Sequence, residues 1–174
     1  TERVCKMLNK LLSFAGPSDL KPERVELYAI LQRVFDLLSP KAKKKGISLE
    51  LPRFQEEVYV FMDKEGLIQV CMNLSLNALE AANPGGYLKC EIEIRRKNHV
   101  TLCFLNNGEP ITEEVQKRLF EPFFTTKKDG TGLGLAVSQR IIRQSGGEIS
   151  FTGTGDITIF KMELPLFPIL RGGV

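Results

Sequence analysis

Apolar residues along the chain recur at helical spacing in some stretches and alternate at two-residue spacing in others. Val4, Met7, Leu8, Leu11 and Leu12 mark a helix that Gly16-Pro17 stops. After a polar connector from Ser18 to Glu23, Leu27, Ile30, Leu31, Val34, Leu37 and Leu38 form the stripe of an amphipathic helix. Gly46 ends that helix, and Pro40 kinks it or begins a new turn. Ile47–Leu51 and Glu57–Met62 read as strands. A helix from about Lys64 to Ala82 buries Leu67, Val70, Cys71, Leu74, Ala78 and Ala81, and Asn83-Pro84-Gly85-Gly86 closes it. Tyr87–Arg95 alternates strictly, with Leu88, Cys90, Ile92 and Ile94 on one face and Lys89, Glu91 and Glu93 on the other. Val100–Leu105 pairs with it as a hairpin across Lys97-Asn98-His99. A short helix capped by Thr112 runs to about Phe120, and Glu121–Thr131 reads as a loop. A last helix covers Gly132 to Ser145, and strands follow at Glu148–Thr152 and Ile157–Leu164. Strands and helices without regular βαβ alternation predict an α+β fold. Its form is a two-layer α/β sandwich, a mixed and mostly antiparallel sheet with helices on one face.

Composition narrows the class. A length of 174 residues, 43% of them hydrophobic and 26% charged, fits one soluble globular domain. A net charge of +3 is too small to argue for nucleic acid or an acidic membrane surface. The run Lys41-Ala42-Lys43-Lys44-Lys45 ends a helix, where cations complement the dipole. Cys5, Cys71, Cys90 and Cys103 form no C-x-x-C pair and sit in apolar stretches, so reduced buried thiols are expected. No apolar run has the length of a membrane span and no signal peptide is visible, which reads as cytosolic. The first residue, Thr1, suggests a fragment of something longer.

Two places carry chemistry. Gly130-Thr131-Gly132-Leu133-Gly134-Leu135 runs into the last helix, and a glycine-rich turn opening into a helix exposes unpaired N–H groups at the positive dipole end. Lys127 and Lys128 add mobile positive charge, so nucleotide phosphates are expected there. No strand immediately precedes Gly130, which argues against a dinucleotide fingerprint. On the helix Lys64–Ala82, Asn73, Asn77 and Glu80 lie at i, i+4 and i+7, a polar ridge roughly 10 Å long. Asparagine is a poor mid-helix residue. Two readings stay open on that pattern: amide oxygens held toward a hard divalent cation, or amides bridging to neighbouring loops.

Four segments in order resemble the N, G1, F and G2 boxes of the ATP-binding domain of sensor histidine kinases, which shares its fold with gyrase B, Hsp90 and MutL. They are Gln69–Ala81 (QVCMNLSLNALEA), Asn106–Ile111 (NNGEPI), the stretch LFEPFFTTK ending at Lys127, and GTGLGL from Gly130. The match spans about residues 25–165, and its wording is similar to nitrogen-regulation and sporulation kinases. The resemblance implies the Bergerat-type ATP-binding fold, with ATP and Mg²⁺ as cofactors. It implies that Asn77 holds the Mg²⁺, that Asn73 sits beside it, and that Asn106 reads adenine. Gly108, Ile111, Phe123, Thr126, Lys127, Gly130, Thr131, Gly132, Leu133 and Gly134 complete the implied nucleotide site. Asn73, Asn77 and Lys127 are its catalytic set. Glu121–Lys127 belongs to a mobile lid, with Arg118 and Lys127 as candidate γ-phosphate contacts. Residues 1–16 become the end of a dimerisation and phosphoacceptor helix, and 17–174 the catalytic domain. The implied partners are that dimerisation domain and, through a homodimeric parent, a response regulator. The fragment itself is expected to be monomeric, without nucleic-acid or membrane contact.

The chain departs from the family pattern in three places. Asn106 stands where an adenine-reading aspartate is usual, Glu80 where many kinases have lysine, and a closing G-x-G-T-x-F motif is loose in Gly153–Phe160. The hydrolysing relatives carry a glutamate at the position of Asn73, and an amide cannot act as a base, so hydrolysis should be slow. The sole histidine, His99, lies at a predicted hairpin without an acidic neighbour and proline, and reads as structural. The chain alone should therefore bind ATP without phosphorylating itself. Competing readings are an ATP-driven switch of the gyrase and Hsp90 kind, a serine kinase of the anti-sigma or mitochondrial dehydrogenase-kinase kind, and a degenerate partner-binding domain.

Overall fold

The computed structural model describes residues 21–53, 57–95, 98–128 and 130–167. The predicted first helix Val4–Phe14 and Cys5 lie outside them. The elements in chain order are β1 (Pro22–Glu26), α1 (Leu27–Lys45), β2 (Ser48–Glu50), β3 (Tyr59–Asp63), α2 (Lys64–Ala81), β4 (Tyr87–Arg95), β5 (His99–Asn107), α3 (Glu113–Arg118), α4 (Gly134–Gln144), β6 (Glu148–Thr154) and β7 (Ile157–Pro165).

The main sheet has the order β2-β4-β5-β7-β6. Only the β2–β4 pair is parallel; β4–β5, β5–β7 and β6–β7 are antiparallel, so the sheet is mixed and mostly antiparallel as expected. Its core face presents Leu88, Cys90, Val100, Leu102, Phe104, Phe160, Met162 and Leu164 to the buried stripes of α1 and α2. The opposite face carries Lys89, Glu91, Glu93, Lys161 and Glu163. Thr101 and Cys103 are buried in its centre, where the long flanking side chains cover them. Cys71, Cys90 and Cys103 are buried and in no disulfide, and desolvation pushes the Cys71 thiol up to about 12.

The helices begin where the sequence offers caps. Glu26 accepts from the N–H groups of Tyr28 (2.8 Å) and Ala29 (2.6 Å) to open α1. Asp63 accepts from Gly66 N–H at 2.7 Å to open α2, and Thr112 caps α3 as predicted. Gly46 closes α1 in the left-handed region at φ 66°, with three lysines in the last turn.

Several expectations are corrected. Pro22 and Glu23, the end of the expected connector, belong instead to strand β1, which pairs antiparallel with β3 as a two-stranded ribbon; five residues rich in charge carry no alternation, and only the distant partner makes them a strand. Pro40 lies inside α1, which runs on to Lys45, so it does not begin a new element there. Leu37 (60% exposed) and Ile94 (49%) lie outside the core although they share its periodicity; Leu37 sits at the edge of the α1 stripe, whose later positions Leu38 and Ala42 are buried, and Ile94 lies near the end of β4. Ala81 is likewise exposed, at the end of α2. His99 is not in the turn but opens β5 opposite Arg95. The helix predicted from Gly132 starts at Gly134, because Gly132 takes φ 68°.

Candidate functional site

Helix α2 is the spine of the site. Its apolar stripe is fixed by the core, so the residues on its other face, Asn73, Asn77 and Glu80, are turned toward the segment after α3 and the start of α4. Between them lies a cleft of about 770 Å³, a size suited to a small-molecule ligand. Asn77 and the glycine turn Gly130, Gly132 and Gly134 all line this one cavity, with Asn106 and Thr158 from the sheet. Gly108 abuts the end of α2 so closely that a Cβ there would strike the Ala81 carbonyl.

Asn73 is a clamp. Its Nδ2 donates to the Gly134 carbonyl and to Ser138 Oγ, each at 3.2 Å, and Ser138 Oγ donates to the same carbonyl at 2.8 Å. The amide ties α2 to the first turn of α4 and so sets the height of the glycine turn. Leu133, the residue before α4, makes no side-chain cap, so no side chain occupies the N–H groups of the first turn. The turn is locked to the preceding loop as well. Phe123 N–H donates to the Gly132 carbonyl at 2.9 Å, and a Cβ on Gly132 would collide with the Phe123 backbone. Phe123 itself has φ 68°, a conformation that bulky residues avoid.

Lys127 carries the main electrostatic contact. Its ammonium donates to Asn77 Oδ1 at 2.8 Å and to Glu80 Oε2 at 2.7 Å, and Lys41 of α1 holds the other Glu80 oxygen at 2.8 Å. Partial burial tends to raise Glu80, but hydrogen bonds from Lys127 and Lys41 and their charges outweigh it and hold the carboxyl below its ordinary range. Glu80 thus lines the cleft while held between two cations.

Of the predicted site residues, Asn73, Asn77, Asn106, Ile111, Thr126, Lys127, Gly130, Thr131, Gly132 and Gly134 line the cleft. Gly108 stands behind it. Phe123 and Leu133 are not among its lining: Phe123 is 53% exposed and Leu133 is fully buried in the interior. Arg118 also stays outside, its guanidinium 4.2 Å over the Phe124 ring and its Nε donating to Glu121 at 2.9 Å. Sequence reasoning missed Thr158, which lines the cleft from β7 in register with Asn106. Its signal was the Thr158-Ile159-Phe160 end of the loose closing motif.

Residues 62–168 match the family described as histidine kinase-, DNA gyrase B- and HSP90-like ATPases. The chain belongs to that family. Within it the likeness runs to the kinases. Sporulation kinase E of Bacillus subtilis is 32% identical over 166 residues, 95% of this chain but only 22% of that protein's length. Full-length ShkA in complex with AMPPNP superposes with a TM-score of 0.85 at 25% identity, over 97% of this chain and 37% of that one. Histidine kinase ThkA in complex with response regulator protein TrrA gives 0.82 at 28% identity, over 98% of this chain and 49% of that one. The kinase reading is therefore better supported than the gyrase-type switch. The fold is the ATP-binding fold of this family.

Proposed function

We propose that this chain is the catalytic part of a two-component sensor kinase: it binds Mg-ATP in the cleft and presents the γ-phosphate to a histidine on a dimerisation domain. The observation that carries this reading is one cavity lined by both Asn77 and the glycine turn, with a buried, unpartnered amide at Asn106. In this reading Asn106 and Thr158 take the base. The free N–H groups at the start of α4 and the backbone of Gly130–Gly134 take the phosphates. Phosphoryl transfer then rests on positioning and charge neutralisation by these groups.

The donor set also suits a hard divalent ion. Asn77 and Glu80 already share a cation, the Lys127 ammonium, and those two oxygens would hold Mg²⁺ together with phosphates. Bound there, Mg²⁺ would neutralise phosphate charge. Lys127, freed from the pair, would reach the phosphates itself. Asn73 spends its amide protons on α4 and offers no base for water, which supports slow hydrolysis.

We further place residues 1–16 at the end of a dimerisation helix and 17–174 as the catalytic domain, with a response regulator as downstream partner. The compartment we propose is the cytosol, and among the described residues no helix is long and apolar enough to cross a membrane. The test mixes the chain, Mg-ATP and a separately prepared acceptor domain. Acid-labile phosphate on the acceptor is expected; phosphate release without acceptor would favour the switch reading, and absence of nucleotide binding would overturn both.

A further inference from the structure

The sheet side of the cleft holds two buried polar side chains. Asn106 is fully buried on the central strand β5, and neither its Oδ1 nor its Nδ2 has a partner among the described residues. Thr158 faces it in register from β7 and is only 3% exposed. Both line the cavity. The buried amide atoms of Asn106, without partners at the wall of a cavity, fit a ligand edge that completes them.

Neither side chain is ionised, and each can both donate and accept. The amide of Asn106 can make a half-turn about its last bond, exchanging the places of its donor and acceptor. No protein hydrogen bond holds it in one sense, and Gly108, which carries no Cβ beside Nδ2, leaves room for the turn. The hydroxyl of Thr158 rotates to follow.

A 6-aminopurine presents an N6–H donor beside the N1 acceptor. A 6-oxopurine presents the reverse, an O6 acceptor beside an N1–H donor. In one sense Asn106 pairs with the first through two hydrogen bonds; turned over, it pairs equally with the second. A carboxylate at the same place could only accept, matching the amino group and repelling O6. Resting on the nucleotide reading of the cleft, we infer that this chain takes guanosine triphosphate as well as adenosine triphosphate, and that Asn106 is the residue that removes the discrimination.

The measurement is competition of ATP and GTP, each with Mg²⁺, against a fluorescent nucleotide on the full chain. A site with one rigid pattern rejects its reverse by roughly 10⁴-fold. Here GTP should bind within about thirtyfold of ATP, and Asn106→Asp should widen the gap at least tenfold, mainly by weakening GTP. ATP bound with GTP weaker by more than that thirtyfold, or a folded Asn106→Asp chain with an unchanged ratio, overturns the inference. If circular dichroism shows that the variant does not fold, the wild-type ratio alone decides. Failure to bind either nucleotide would instead sink the reading of the cleft itself.

Discussion

Single side chains set the electrostatics of this cleft. Lys127 sits on the two oxygens that would also receive a divalent ion, so ion and ammonium compete for one seat. Lys127→Ala should lower the Mg²⁺ concentration needed for half-maximal nucleotide binding, and Glu80→Gln should raise it, both read by calorimetry across a magnesium series. A Lys127→Ala curve that does not move would show the seat is not shared. Glu80 also carries a pH signature. Because its carboxyl is held below its ordinary range, its ion pairs contribute stability above the unfolded value, about pH 4.3, and lose it as pH falls through the lower folded value. Wild type should therefore outlast Glu80→Gln in urea at neutral pH, and the two should converge on acidification below that value. The pairs are part-exposed, so the gap will be small. The sequence showed Asn77, Glu80 and Lys127 as polar and charged residues of interest. It did not show that they touch, since Lys127 is 50 residues from Asn77 and no periodicity spans that gap.

Elements differ in how far their neighbours could be read. The strip of α2 that packs against the core, and the hairpin β4–β5, follow from periods of 3.6 and 2, which are local properties of the chain. Strand β1 and the parallel pairing of β2 with β4 were not legible, because a few charged residues become a strand only when a distant backbone offers hydrogen bonds. The tie from α2 to α4 through Asn73 was legible only as a bare choice between metal and loop. In the fold the amide protons go to the helix, across 65 residues to Ser138. Gly132 is where element and site meet. Its positive φ and its contact with the Phe123 backbone leave no space for a methyl group. Gly132→Ala should displace the turn and cut nucleotide affinity at least tenfold, while lowering the thermal midpoint by a few degrees for each kcal/mol of strain. Unchanged affinity would mean that the turn does not hold the phosphates.

At the scale of the whole molecule, α2 joins the core to the cleft: Leu74 is fully buried in the core while Asn73 beside it ties the site. Leu74→Ala should cost about 2–5 kcal/mol, seen as an earlier urea midpoint, and should weaken nucleotide binding only through loss of folded chain. The thiols report the same interior. Cys71, Cys90 and Cys103 are buried, and desolvation keeps Cys71 and Cys90 protonated at neutral pH. Those three should react with a thiol reagent only as the chain unfolds, a burst of more than one thiol at native conditions being the contrary result, since Cys5 is the fourth. By itself the amino-acid sequence determined the helices and strands with strong periods, most of the apolar set of the core, the reduced state of Cys71, Cys90 and Cys103 and the family, because each is written in near neighbours or in ordered motifs. Tertiary structure alone decided that Lys127 lies on Asn77 and Glu80, that Asn73 clamps α4, that Phe123 points out, and that Thr158 stands opposite a buried Asn106. Those are contacts between residues far apart in the chain, and only closing the sheet against its helices brings them within reach of one another.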